Sequence, residues 1–182
     1  MVTLLALTGC EKKTAAGPKL VYNGPLTETT NVKTLYSDSA KLKFQLTAPL
    51  QQQFENGDVI YPKGVQVTFY SADGKRSVVN TLTAKYGKVE KATNIYTMRG
   101  KVEVVNVPQA QRLDTEELFY DQTKQVIYTD SATYVQVTTP TERLTGYGLT
   151  ANQTFSRYSI LDPKGVFAAP ATQAAPAAQP VK

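Results

Sequence analysis

The chain has 182 residues, a hydrophobic fraction of 41% and a formal net charge of +5, which suits one folded domain with tails. It contains no histidine and a single cysteine. These counts exclude a histidine-activated nucleophile, a histidine metal site and an internal disulfide. The basic residues are spread along the chain and form no dense tract, which disfavours nucleic acid as a partner.

The chain begins with the apolar run MVTLLALTGC, which ends in small residues and Cys10. This pattern is similar to the bacterial lipobox, in which a signal peptidase cuts beside small residues and the cysteine is lipidated. The alternative is a partly buried free thiol. We expect residues 1–10 to be a signal-peptide remnant and lipobox with a lipidated Cys10, followed by a tether over 11–19. Because spanning a bilayer takes about 20 apolar residues, the expected membrane anchor is the lipid.

The middle of the chain, residues 20–167, predicts a β-domain. Short runs of alternating apolar and polar residues are separated by turn signals such as ENGD (55–58), ADGK (72–75) and DPKG (162–165). Recurrent Thr, Val and Tyr favour strands, and helical periodicity is almost absent. Residues 168–182 hold seven Ala and three Pro, and little in them can pack, so we expect a disordered tail.

The β-domain also contains an internal repeat. Three leucines, Leu82, Leu113 and Leu144, stand 31 residues apart and serve as its anchors. Apolar residues recur 14 and 22 positions after each anchor, and they are Tyr96, Ile127 and Tyr158, then Val104, Val135 and Val166. A fainter copy starts at Leu46, 36 residues before Leu82, and we place its extra residues in the turn at 51–58.

A fixed period of this size is typical of stacked strand–turn–strand units. Positions that are apolar in every copy should point inward, because one unit alone cannot bury its apolar face. The repeat therefore predicts an all-β fold, an elongated, twisted antiparallel β-jellyroll with an apolar interior. The alternative is a compact sandwich in which the repeat is accidental.

One stretch, RLDTEELFYDQTKQVIYTD (112–130), is rich in carboxylates. Its acids are Asp114, Glu116, Glu117, Asp121 and Asp130. The acids do not recur in the other copies of the repeat, since Asp114 corresponds to threonines. We therefore interpret them as the water-facing side of one unit rather than as a metal or acid–base site, which would need converging carboxylates. The sequence predicts a protein without catalytic residues, metal or cofactor.

Several segments resemble the LptC family, the periplasmic components of the lipopolysaccharide-export ABC transporter of Gram-negative bacteria. They are KYGKVEKATNIYTMRGKVEVVN (85–106), RLDTEELFYD (112–121), YTDSATYVQV (128–137) and LTGYGLTAN (144–152). The resemblance implies an OstA-like jellyroll, an open-sided solenoid of repeated units, at the periplasmic face of the inner membrane. It further implies that lipopolysaccharide passes from the inner-membrane transporter to a periplasmic bridge protein of the same fold, which docks by edge strands. Typical members carry an N-terminal transmembrane helix, whereas this chain resembles a lipoprotein.

On this interpretation the inward residues of the repeat line a groove for acyl chains. The candidate groove residues are Leu82, Ala84, Tyr96, Met98, Val102, Val104, Leu113, Leu118, Ile127, Val135, Leu144, Leu149, Tyr158 and Ile160. A second group, Lys85, Lys88, Lys91, Arg99 and Lys101, could meet lipid phosphates or form an ordinary solvated face. The alternative function is that of a structural, scaffolding β-repeat lipoprotein of the envelope whose interior is dry and carries no lipid.

Overall fold

The computed structural model describes residues 22–167, and the expected all-β jellyroll is confirmed there: these residues form one antiparallel sheet. The expected lipobox with Cys10, the tether and the Ala/Pro tail lie outside the described residues. The strands are β1 (Thr27–Asp38), β2 (Lys41–Gln53), β3 (Val59–Tyr61), β4 (Val65–Tyr70), β5 (Val78–Ala84), β6 (Tyr86–Glu90), β7 (Ile95–Asn106), β8 (Gln111–Asp121), β9 (Val126–Tyr128), β10 (Tyr134–Thr138), β11 (Glu142–Asn152) and β12 (Tyr158–Phe167).

The sheet is folded along one line, so that it makes two facing layers. Layer A contains β4, β5 and β10, and layer B contains β3, β6 and β9. The long strands β1, β2, β7, β8, β11 and β12 run through both layers. In β7, for example, Val104 pairs with Leu82 of β5 in layer A, whereas Met98 pairs with Gly87 of β6 in layer B. β1 and β12 are the two end strands, and within the described chain they pair only with β2 and β11.

Backbone irregularities mark the line along which the sheet folds. The pairing of β7 with β8 shifts between Arg99 and Val102, and Gly100 between them has a φ of +76°. Gly64, between β3 and β4, has a φ of +99° and lies at the same level beside Lys85. Glycine adopts this left-handed conformation at little cost, and a bulge bends the strand that contains it. These positions therefore let each strand turn from one layer into the other.

The repeat seen in the sequence corresponds to rows of residues that run across the strands. The anchors lie in one row of layer A, here called the anchor row: Leu46, Val67, Leu82, Val104, Leu113, Val137 and Leu144. The residues 14 positions later, Tyr96, Ile127 and Tyr158, lie together in one row of layer B. The predicted equivalence of the anchors, including the fainter copy at Leu46, is confirmed.

Two details of the predicted repeat are wrong. Val166 is 73% exposed, because β12 has no net extra residue against β11, whereas β7 has one against β8. Leu144 therefore pairs with Gly165, and Val166 lies beside Arg143. The extra residues of the first copy do not lie in the turn at 51–58. Leu46 to Gly64 spans the same 18 residues as Leu82 to Gly100, so the insertion lies in the turn at 71–77.

The inward faces of both layers form one core. Its buried apolar members are Ala48, Tyr61, Val65, Val67, Ala84, Met98, Val102, Val104, Leu113, Leu118, Val135, Val137, Leu149, Ala151 and Phe155. Alternation along the strands produces this separation: Val102 and Val104 point inward, whereas Glu103 between them lies on the outer surface and pairs with Arg112 at 2.7 Å. Gly87 faces inward too, and a Cβ there would lie 3.0 Å from Val65 Cγ1 of the opposite layer.

The core predicts how stability responds to truncation of a leucine. Leu113 is fully buried, so Leu113→Ala should lower the free energy of unfolding by about 2–5 kcal/mol, as measured by denaturant unfolding. Leu35→Ala is the matched control, since Leu35 is 56% exposed on β1 and its loss should change stability by less than about 0.5 kcal/mol. Equal losses at the two positions would contradict the placement of the core.

Candidate functional site

The apolar interior between the two layers, here called the groove, extends to the side opposite the fold line. Two lines of hairpin turns border that side, here called the mouth. The turns of layer A lie at 39–40, 71–77, 107–110 and 139–141, and those of layer B at 54–58, 91–94, 122–125 and 153–157. The inward residues nearest the turns form the edges of the mouth, and the anchor row lies one row deeper in layer A.

The layer A rim row changes character along the molecule. It consists of Tyr36, Phe44, Phe69, Asn80, Asn106 and Gln111, which pair in this order across β1, β2, β4, β5, β7 and β8. At the β1 end the row is aromatic: the ring centroids of Tyr36 and Phe44 are 5.0 Å apart, and those of Phe44 and Phe69 6.0 Å. From β5 onward the row presents side-chain amides.

The layer B rim row is apolar and rich in tyrosine. It consists of Val59, Val89, Tyr96, Tyr120, Ile127, Ala151 and Tyr158. Burial raises the pKa of Tyr96, Tyr120 and Tyr158 above that of a free phenol, because the charged form would lose water. These phenols therefore stay neutral at physiological pH and present rings to the groove.

The two ends of the groove differ in exposure. Near β1 the inward side chains of Val32, Phe44 and Leu46 are only half-buried. Near β10 the inward side chains of Val135 and Val137 are fully buried. An apolar surface is thus accessible at the β1 end, whereas the inward valines of β10 are packed.

A single aromatic residue covers the β12 end of the mouth. Phe155, in the turn between β11 and β12, is 1% exposed and stacks on Tyr158 with the ring centroids 5.6 Å apart. Its φ of +56° is rare for a bulky residue. Asn152 holds this turn in place, because its Oδ1 accepts hydrogen bonds from the backbone N–H groups of Ser156 (3.0 Å) and Arg157 (3.1 Å).

The candidate groove residues lie where the repeat predicts. Eight are buried, namely Ala84, Met98, Val102, Val104, Leu113, Leu118, Val135 and Leu149, and five are half-buried against them, namely Leu82, Tyr96, Ile127, Tyr158 and Ile160. Leu144 is half-buried but lies outside this core cluster, next to Gly165 of β12. Their burial places them on the inner surface, and contact with a lipid stays a prediction.

The candidate basic residues lie away from the groove interior. Lys88 pairs with Glu90 (2.6 Å) and Asp58 (3.8 Å), and Arg99 pairs with Glu117. Lys85, Lys91 and Lys101 form no ion pair within residues 22–167. This part of the surface thus keeps a net positive charge, although two of its five cations are neutralised.

The carboxylates of 112–130 are mostly paired on the outer surface. Arg112 contacts Asp114 at 2.6 Å, and the hydrogen bond to Asp114 raises the pKa of Arg112. Asp121 corrects the prediction of a water-facing acid, because it is buried at the end of β8, where it accepts a hydrogen bond from the Lys124 N–H (2.9 Å). That bond lowers the pKa of Asp121. Across 22–167 no group of three potential ligands is arranged to hold a metal ion.

Two features of the mouth were not predicted from the sequence. They are the covering ring of Phe155 and the amide part of the layer A rim row. A signal for the amides is present. Polar residues stand two positions before three of the anchors, at Asn80, Gln111 and Glu142. Since strand residues two apart share a face, this spacing places polar groups beside the apolar floor of the groove. Phe155 has no counterpart in the other copies, so its position could not be predicted.

The comparisons with known proteins identify a family. Residues 24–163 match the family model described as "Lipopolysaccharide-assembly, LptC-related". A search of the curated proteins finds no match. In the part of the chain that the structure covers, there is no helix that could cross a membrane. The match spans most of the chain and the whole groove, so the chain belongs to the LptC-related family of lipopolysaccharide-assembly proteins.

Proposed function

We propose that this protein holds the acyl chains of lipopolysaccharide between its two layers and passes the lipid onward. In this role it receives the lipid from the inner-membrane ABC transporter and delivers it to a periplasmic bridge protein of the same fold. The observation that supports this most directly is the groove, whose anchor row and layer B rim row are apolar and whose mouth runs along the molecule. The lipidated Cys10 would hold the protein at the periplasmic face of the inner membrane.

The apolar rows suit transport because they bind the acyl chains of the lipid and can also release them. Each CH₂ group removed from water contributes about 0.8 kcal/mol, so even a shallow groove retains several acyl chains. Movement into an equivalent groove exchanges one apolar surface for another and changes the free energy little. Net movement then needs energy from outside, which the ATPase of the transporter supplies. The protein itself needs no catalytic residue.

The end strands suit hand-over between proteins. β1 and β12 each have one edge without a partner in the described chain, and such edges accept a further strand. The charge is also asymmetric: residues 22–101 carry eleven Lys and Arg against six Asp and Glu, whereas residues 102–167 carry five against eight. A basic half and an acidic half favour head-to-tail contact between molecules of this fold. We place the transporter at β1 and the bridge protein at β12.

The groove can be tested with two neighbouring valines. Val104 points into the groove, and Val105 points to the outer surface of the same strand. A photo-crosslinking residue at position 104 should trap lipopolysaccharide in cells, whereas the same residue at 105 should trap little. Adducts are detected by immunoblotting of the purified protein. Equal yields at the two positions would contradict binding between the layers.

The direction of transfer can be tested at the end strands. Val166 on β12 and Leu35 on β1 are both exposed, so a photo-crosslinking residue at either should leave the fold intact. Position 166 should capture the bridge protein, and position 35 the transporter. Captured partners are identified by mass spectrometry. The reverse pattern would mean that the assumed polarity is wrong.

Because the Phe155 ring covers the β12 end of the mouth, we expect it to limit access of lipid to that end. In a protein with a photo-crosslinking residue at Ile160, Phe155→Ala should raise the yield of the lipopolysaccharide adduct several-fold, because the ring no longer covers the β12 end. Phe119→Ala is the control, since Phe119 stacks on Tyr128 (5.2 Å) on the outer surface. An unchanged yield in folded Phe155→Ala protein would show that this ring does not limit access.

A further inference from the structure

We propose that the amide part of the layer A rim row is a binding site for hydrogen-bond donors of a bound amphiphile. This site, here called the polar stripe, consists of Asn80, Asn106 and Gln111. Its ligand class is a lipid with an N–H or O–H group where an acyl chain joins the polar part of the molecule, as in amide-linked or hydroxylated acyl chains. The inference rests on the proposed function, because the stripe borders the groove assigned to those chains.

The position of the polar stripe fits the junction between acyl chain and polar head. Asn80 pairs with Asn106, and Asn106 with Gln111, so the three amides form a continuous row across β5, β7 and β8. The next row inward is apolar, with Leu82, Val104 and Leu113. Two residues of a strand span about 7 Å, so the amides stand about that far above the apolar floor. A chain lying on the floor would place its first polar group at the stripe.

Two of these amides are more buried than is usual for polar side chains at a solvent opening. Asn106 is 8% exposed and Gln111 is 5% exposed. The two have protein contacts, since Asn106 Oδ1 accepts a hydrogen bond from the Gln109 N–H (3.1 Å) and Gln111 lies close enough to the Tyr158 hydroxyl to oppose the rise in its pKa. These contacts hold the stripe at a fixed height in the mouth.

Asn80 differs from its two neighbours, and its difference points to a ligand. The Oδ1 atom of Asn80 is buried and has no hydrogen-bond partner among residues 22–167. Buried polar atoms in folded proteins are nearly always paired, because an unpaired one has lost its water without replacement. Asn80 lies in the inward-facing rim row, so we infer that the missing donor belongs to a molecule held in the groove. An amide N–H or a hydroxyl provides one, whereas an ester provides acceptors only.

The neighbouring strand argues against a purely structural role for Asn80. Phe69 occupies the paired position on β4 and fills the same row with an apolar ring. A leucine at position 80 would continue that apolar surface without leaving an unpaired oxygen. Packing alone therefore does not explain why position 80 is an asparagine, and we infer that its amide binds a ligand group.

Two probes of equal length test the stripe, N-methyltetradecanamide and methyl tetradecanoate. They differ only in an N–H group where the ester has an oxygen. Displacement of a fluorescent acyl probe from the full-length protein gives their affinities. The unmodified protein should bind the amide more tightly, by roughly five- to tenfold, the difference that one hydrogen bond makes. Asn80→Leu should remove this preference, so that the variant no longer favours the amide over the ester.

Thr138→Val is the matched control. Thr138 Oγ1 is the other buried side-chain atom without a partner in the described residues, and it lies in β10 outside the stripe. Both substitutions remove an unpaired buried polar atom, so neither should lower the midpoint of thermal unfolding, and only Asn80→Leu should change the preference for the amide. Equal binding of both probes, or a preference that survives Asn80→Leu, would overturn the polar stripe alone. If neither probe binds, both the stripe and the proposed groove are overturned.

Discussion

The contact between the inward faces of layers A and B is the interaction on which the rest of the structure depends. Each layer carries apolar residues on one face only, and Val65 of layer A reaches Gly87 of layer B across the interior. Folding one continuous sheet along a line brings these faces together without a second sheet or a helix. The same fold leaves the side opposite the line open, so that burial of the core and formation of the groove have one cause.

The interior differs between the β1 end and the region of β10, and this difference gives the molecule a direction. Near β1 the inward aromatic residues are half-exposed, whereas Val135 and Val137 on β10 are fully buried and Phe155 is buried beside Tyr158 at the start of β12. Accessible apolar surface at one end suits reception of a lipid, and a covered end suits controlled delivery. The unequal charge of the two halves follows the same direction and suits assembly in one orientation.

Much of the fold could be predicted from the sequence, because residues separated by one period of the repeat lie in the same row of the sheet. Leu82, Leu113 and Leu144 lie in one row because equal spacing places them at equal positions in successive units. Prediction failed where the backbone departs from that period. β12 lacks the extra residue that β7 has against its neighbour, so Val166 points outward. Asp121 is buried in a turn, where it accepts a hydrogen bond from the Lys124 N–H. The role of Phe155 depends on a left-handed backbone conformation, which no local sequence pattern predicts.

The central claim, that the folded sheet carries lipid between its layers, is tested most directly by native mass spectrometry of the protein released gently from its membrane. The account predicts a population with noncovalently bound lipopolysaccharide, which is lost when the protein unfolds. Folded protein that carries no lipid under the same conditions would contradict it, and would favour an envelope scaffold with a dry interior.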